Sequence, residues 1–224
     1  MLRVTITDRQ SRDLKKVASI APEKLSAALD QLSKSSGILL GPRPLRKLLA
    51  KSVGKDDSRV LADHLLGLAG LLRSSESSKD DLIEALNREI ERKWEPEELE
   101  NWETTSTLVL RLVDHERIRI SAKSVELAFN YANILAHADL LTDIRPVFDD
   151  AHKNIQGTII AHTLRLRTYS EGKQKSVSIM LDVNDVDRIA ELCAEAKKKA
   201  EVAKRAMISK CRFHASVIGE DFDD

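Results

Sequence analysis

The feature that most constrains the fold is an alternation of apolar and polar side chains that begins at residue 160. One set of positions is mostly apolar and consists of Ile160, His162, Leu164 and Leu166; the intervening set is polar and consists of Thr163, Arg165 and Arg167. Successive side chains of a β-strand point to opposite faces, so a period of two separates these sets. The pattern predicts a half-buried strand.

A second alternation follows after a short turn. Val177, Ile179 and Leu181 repeat the period of two, and residues 170–173 between the two runs include Gly172. A short glycine-containing loop between such runs is typical of an antiparallel β-hairpin. Two strands alone are marginally stable in water, so this hairpin requires further cover.

The segment after the hairpin is predicted to be an amphipathic helix. Its start at residues 182–187 is acidic, which suits a helix N-terminus. Apolar side chains then recur at helical spacing: Val186, Ile189, Ala190, Cys193, Ala196, Ala200, Ala203 and Met207. We expect this stripe to cover one face of the hairpin.

The first part of the chain is predicted to be a bundle of helices. Aromatic residues make up only 4% of the chain while hydrophobic residues make up 42%, so aliphatic side chains must supply the packing. A helix is expected to begin at Thr7 or Asp8. Ser78 and Asp81 have the spacing of a capping box ahead of another helix.

The segment from Trp94 to Ile120 has an ambiguous pattern. Pro96 can begin a helix, whereas the leucines at 108, 110 and 112 alternate as in a strand. We interpret the segment as helix that ends in a short extended piece at Ile118 and Ile120. A further amphipathic helix is predicted from Ser121 to residue 135 or 136.

Together these assignments predict an α+β fold that is mostly α. An N-terminal helical bundle is followed by an antiparallel β-hairpin and a long C-terminal amphipathic helix. The expected divisions are a helical domain at 1–93, a connecting helical segment at 94–141, a hairpin-plus-helix module at 142–212 and an acidic tail at 213–224.

Charge and cysteine content limit the partners and the compartment. Lysine plus arginine equals aspartate plus glutamate at 36 each, so no net field draws the whole molecule to nucleic acid or to an anionic membrane. Cys193 and Cys211 are the only cysteines, as suits a reducing cytoplasm. The first residues lack a signal-peptide core, and no apolar stretch approaches a bilayer span. We expect a cytoplasmic protein with no membrane partner.

Carboxylates and imidazoles are densest between residues 142 and 162. The candidates for a metal-dependent hydrolase are Asp143, Asp149, Asp150, His152 and His162. The favoured interpretation is a loop or broken helix in which Thr142 or Asp143 caps, Arg145 pairs with a carboxylate, and apolar neighbours anchor to the core. His162 also shares the apolar side of the first predicted strand, which favours a cross-strand or core histidine.

Two basic groups are candidates for phosphate contacts. One comprises Arg43, Arg46, Lys47 and Lys51; the other comprises Lys197, Lys198, Lys199, Lys204 and Arg205. Without net charge or accompanying exposed aromatics, solvated helix faces are the favoured interpretation. Glycine-rich phosphate loops and a nucleophile elbow are absent from the sequence, so no cofactor and no catalytic residue is predicted.

The last third of the chain carries a resemblance. The runs TDIRPVFDD at 142–150, IIAHTLRLRTY at 159–169 and LDVNDVDRIAELCAEAKKKAE at 181–201 resemble the ending of a group of uncharacterised bacterial proteins. That resemblance implies a bacterial source and a strand pair with a helix. The strand–strand–helix order is also similar in outline to the C-terminal module of COMM-domain proteins, which pair through it behind a helical domain, although the tryptophan of that module's first strand is missing here.

These observations favour a non-enzymatic interaction or accessory protein that associates with itself or with a larger protein partner. The hairpin leaves strand edges free to pair, and nothing in the sequence points to catalysis. A nucleic-acid-associated regulator is the alternative, and a metal-dependent hydrolase is the third hypothesis.

Overall fold

A computed structural model of the chain describes residues 4–35, 37–75, 78–170 and 172–220. The α+β, mostly α fold class is confirmed. The chain divides into two compact units, which we name unit 1 (Met1–Ala128 with Ser216–Asp224) and unit 2 (Phe129–Ala215). None of the helices in the described ranges is both long enough and apolar enough to cross a membrane.

Unit 1 is an assembly of helices that begin where local capping chemistry favours them. The helices are α1 (Asp8–Ala18), α2 (Pro22–Lys34), α3 (Pro42–Val53), α4 (Lys55–Ser75), α5 (Lys79–Ile90), α6 (Pro96–Asp114) and α7 (Glu116–Phe129). Thr7 and Ser78 each cap a helix through a capping box, as their spacing predicts. Prolines occupy the first turns of α2, α3 and α6, where a missing N–H costs no hydrogen bond.

The predicted extended piece at Ile118 and Ile120 is wrong, because both residues lie in α7. The apparent alternation of leucines is contained within α6, where Val109, Leu112 and Val113 are buried at helical spacing. His115 alone interrupts the helical backbone, with φ −63° and ψ 132°. The helix therefore restarts at once instead of becoming a strand.

Aliphatic side chains fill the centre of unit 1. Leucines 25, 32, 45, 49, 61, 65, 82 and 112 are fully buried there. Trp94 and Trp102 meet edge to face with their ring centres 6.2 Å apart. Trp94 donates to the Ser11 hydroxyl at 2.9 Å, and Trp102 donates to the Asn87 side-chain oxygen at 2.8 Å. Both tryptophans thus serve core packing.

Unit 2 contains an antiparallel sheet of three strands in the order β1-β2-β3, formed by β1 (Ile134–Phe148), β2 (Ile155–Ser170) and β3 (Lys173–Leu181). The hairpin of β2 and β3 is the one that the alternation predicts. The helix predicted to reach residue 135 or 136 instead ends at Phe129. The prediction of a loop or broken helix at 142–150 is wrong, because pairing with β2 holds most of this segment extended in β1.

Strand β1 has three irregular features. Its register shifts between Leu135 and His137, which marks a bulge, and again beside Phe148. Pro146 lies within it, a position that proline tolerates in an edge strand. Because β3 pairs only with residues 162–170 of β2, the rest of the β1–β2 hairpin extends beyond β3 as a two-stranded arm.

The two faces of the sheet differ sharply in chemistry. Cross-strand partners share a face, and neighbours along a strand alternate. The apolar face carries Ala138, Leu140, Thr142, Ile144, Ile160, His162, Leu164, Leu166, Val177, Ile179 and Leu181. Over the three-stranded part, the polar face carries Ile134, His137, Asp139, Leu141, Thr163, Arg165, Arg167, Tyr169, Gln174, Ser176, Ser178 and Met180.

The final helix, α8 (Val183–Ser209), begins at a capping box between Asp182 and Asp185. The expectation that its stripe covers the hairpin is wrong for a single chain: the structure describes every residue of α8, and none is buried. The sequence correctly predicts the helix, whereas its apolar stripe stays a prediction. It cannot tell whether the surface that completes the pattern belongs to the same chain.

Candidate functional site

The five metal-site candidates do not converge. Asp143 pairs with Ala161 on the polar face, whereas His162 pairs with Thr142 on the apolar face. The Thr142 hydroxyl lies 3.0 Å from Nδ1 of His162, which is a cross-strand hydrogen bond. Across the described ranges, no group of three or more histidine, cysteine or acidic residues is placed to hold a metal ion.

The remaining candidates belong to the turn that joins β1 to β2. Asp149 accepts hydrogen bonds from the Lys153 amide at 2.8 Å and from the Asn154 side-chain amide at 3.0 Å. These donors lower the pKa of Asp149, with the Lys153 amide having the largest effect. Asp150 is exposed beside it, and His152 takes a left-handed backbone with φ 54°. The carboxylate of Asp149 therefore stabilises the turn.

The two arginines of α3 have partners within unit 1. Arg46 pairs with Asp63 at 3.0 Å, and Arg43 donates to the Glu220 backbone oxygen at 2.8 Å. Lys47 and Lys51 are exposed. Asp221–Asp224 of the predicted acidic tail lie outside the described residues.

The basic residues of α8 lie along an exposed helix. Lys199 pairs with Glu195 at 3.1 Å one turn away, and Arg205 donates to the Glu201 backbone oxygen at 3.4 Å. Lys197 and Lys198 are exposed, and Lys204 is half-buried. This arrangement is typical of a solvated helix face.

A serine–histidine pair in unit 1 was missed by sequence reasoning, because its partners are far apart in the chain. Nε2 of His115 lies 3.4 Å from the Ser33 hydroxyl, beside an open cavity of about 520 Å³. Nδ1 of His115 accepts from the Arg117 amide, so the neutral ring carries its proton on Nε2 and donates to Ser33. Ser33 in turn donates to the Leu29 carbonyl. The ring therefore cannot activate Ser33 as a nucleophile.

Burial changes the pKa of two histidines of unit 1. Burial lowers the pKa of His64, although Asp13 and Asp63 oppose the change. Its Nε2 is buried without a hydrogen-bond partner at a cavity of about 360 Å³. Burial, assisted by Arg117, also lowers the pKa of His115.

We expect the free energy of unfolding of unit 1 to fall as the pH decreases below about 6.5. Because both histidines have folded pKa values below their ordinary 6.5, the unfolded chain binds protons first as the pH drops. The contribution of each neutral histidine to the free energy of unfolding is complete above the unfolded pKa. Below that pKa, this contribution falls by at most about 1.4 kcal/mol per pH unit for each histidine. Urea unfolding between pH 7.5 and pH 5.5, followed by tryptophan fluorescence, measures this slope.

The matched variants for this prediction are His64→Gln and His152→Gln. The first should flatten the dependence on pH, whereas the second changes an exposed turn histidine and should leave the slope unaltered. Equal slopes in all three proteins would contradict the assignment to His64.

The apolar face of unit 2 is exposed in the single chain. Its exposed fractions include 52% for Leu140, 69% for Ile144, 64% for Ile160 and 42% for Ile179. Ile189 and Met207 of the α8 stripe are also exposed. Exposed apolar side chains that share one face are typical of surfaces that bind a protein, a ligand or a membrane.

The chain matches no known protein family, and no curated protein matches it.

Proposed function

We propose that this chain is a non-enzymatic interaction or accessory protein of a bacterial cytoplasmic assembly, and that it self-associates through unit 2. The observation that carries the proposal is the lack of internal burial in that unit. Among the buried hydrophobic residues of the described ranges, only Leu181 belongs to unit 2. A sheet and a long helix with so little buried apolar surface require a further surface to pack against.

The unit itself offers two surfaces that match. One is the apolar face of the sheet, and the other is the stripe of α8. With 27 residues, α8 is about 40 Å long, enough to cross the full length of β3 at about 30 Å. Alanines at 190, 196, 200 and 203 leave little side-chain bulk along the stripe, so a sheet can approach closely.

A second copy is the occupant that satisfies both surfaces at once. In a two-fold arrangement, α8 of each copy covers the apolar face of the other, and the contact is made twice. Such an exchange leaves neither stripe nor face exposed and does not propagate to a third copy. A different partner protein would have to supply both surfaces, which makes it the second choice.

Light scattering tests the association directly. We expect a dimer of the full chain at tens of micromolar, with dissociation on dilution. A strict monomer across this range would overturn the proposal.

The two free cysteines give a reporter of where the contact forms. Cys193 lies on the α8 stripe and Cys211 lies beyond the helix, and both are exposed in the single chain. We expect maleimide to label Cys193 more slowly than Cys211 when the protein is concentrated, because association covers the stripe. Dilution should bring the two rates together. Equal rates at all concentrations in a protein that still dimerises would move the interface away from α8.

A further inference from the structure

The polar face of the sheet carries an arrangement of donors that packing does not explain. Arg165 lies opposite Ser178 and Arg167 lies opposite Ser176, so two arginine–serine pairs occupy adjacent rows of β2 and β3. Arg165 and Arg167 are two residues apart on one strand, about 6.7 Å along its axis. Tyr169 and Gln174 form the next row on the same face.

The arginines are poorly neutralised by the protein. The Arg165 side chain makes no ion pair or hydrogen bond with any residue that the structure describes, although Asp139 lies opposite it on β1. Arg167 approaches Asp139 only to 3.8 Å, and its Nε is buried without an acceptor. Asp139 is shared, because His137 Nε2 lies 2.7 Å from its other oxygen. The Arg167 side chain is nevertheless 42% exposed, so the outer nitrogens of its guanidinium group remain accessible to a further acceptor.

The carboxylates nearest to these two arginines all belong to β1, on one side of β2. Asp139 and Asp143 belong to β1, as do His137 and Arg145. The rows between β2 and β3 hold the two arginines and no carboxylate. Positive potential is therefore strongest over the β2–β3 side of the face.

These groups match the chemistry of a phosphodiester chain. Guanidinium groups bind phosphate oxygens through paired charge-assisted hydrogen bonds, and serine hydroxyls add further donors. Tyr169 beside them is 53% exposed, and an exposed aromatic ring can stack on a base. A phosphate without a base would use the arginines but would leave the ring unused.

We infer that the polar face binds a single strand of nucleic acid, with phosphates on Arg165 and Arg167 and a base on Tyr169. Single strands fit better than a duplex, because stacking on a ring requires an unpaired base. These residues differ from the basic groups of α3 and α8 singled out in the sequence. The site lies on the face opposite the proposed contact between copies, so the two proposals stand or fall separately.

Fluorescence anisotropy of the full chain with labelled RNA and DNA oligonucleotides of about 12 nucleotides tests the inference. At about 50 mM salt we expect Arg165→Glu and Arg167→Glu each to weaken binding at least about 10-fold. Tyr169→Ala should also weaken it, with a smaller change in salt dependence than the arginine variants show. Stronger binding of RNA than of DNA would identify the natural strand.

Arg145→Glu is the matched control, because it reverses the same charge on the same face but lies on the arm, opposite Ile159. We expect its affinity to stay within about 3-fold of the unmodified chain. No binding by the unmodified chain would overturn the inference. So would equal losses in Arg145→Glu and Arg165→Glu, or a loss confined to a variant with Lys197, Lys198 and Lys199 changed to glutamate. Circular dichroism of Arg165→Glu and Arg165→Gln verifies that the strand and helix content of the chain is retained, whether or not the chain self-associates.

Discussion

Ile160→Lys is expected to convert the dimer into a monomer at concentrations where the unmodified chain is fully associated. Ile160 lies on the apolar face opposite Ile144, and 64% of it is exposed in the single chain. The substitution should therefore cost the monomer little, whereas association would bury an unpaired ammonium in each copy. We expect the dimer to weaken at least about 100-fold, which corresponds to roughly 3 kcal/mol. Sedimentation velocity over a dilution series measures the change.

Ile159→Lys provides the matched control for this experiment. Ile159 is the same residue type on the same strand, is 58% exposed and points to the opposite face beside Arg145. Its variant should remain a dimer. If both lysines dissociate the dimer equally, the contact does not distinguish the two faces. If neither does, the apolar face is not the interface.

Leu65→Ala is expected to lower the free energy of unfolding of unit 1 by about 2–5 kcal/mol. Leu65 lies in α4 with no exposed surface, so truncation leaves a cavity lined by side chains of the bundle. Both tryptophans of the chain lie in unit 1, and their fluorescence in urea therefore reports on that unit. A shift of the midpoint with an unchanged slope would give the loss of stability.

Leu127→Ala is the control for the core substitution. Leu127 lies in α7 and is 61% exposed, so the same chemical change removes little buried surface. We expect an effect below about 0.5 kcal/mol. Comparable losses at both positions would mean that the packing around Leu65 contributes little to stability.

The sequence predicts the parts of this fold whose information is local. The capping boxes at Thr7 and Ser78 and the alternation through β2 and β3 are each contained within a few residues. Strand β1 was missed because Pro146 and interspersed charges weaken its pattern. Its partner, β2, lies across a turn with no two-residue glycine signal. Pairing that depends on another segment is not visible in the segment itself.

The candidate site could likewise be predicted only in part from the sequence. The sequence places Arg165 and Arg167 in the polar set of a strand, but it does not show that Ser176 and Ser178 face them. The side chains of Asp143 and His162 can both bind a metal ion, and the two residues are close in sequence. They nevertheless lie on opposite faces of the sheet. Proximity in sequence indicated a metal site there, and the pleat of the strands separates its members.

The irregular edge of β1 has a consequence for the fate of the protein in a crowded cell. A long, regular edge strand would let copies add to one another without limit and grow into fibres. The bulge near His137 bends that edge, and Pro146 deprives it of one backbone donor. Growth by ladder extension is thereby discouraged, whereas the proposed association through the apolar face would end at two copies. The same sheet could therefore associate through one face without starting the growth of an aggregate.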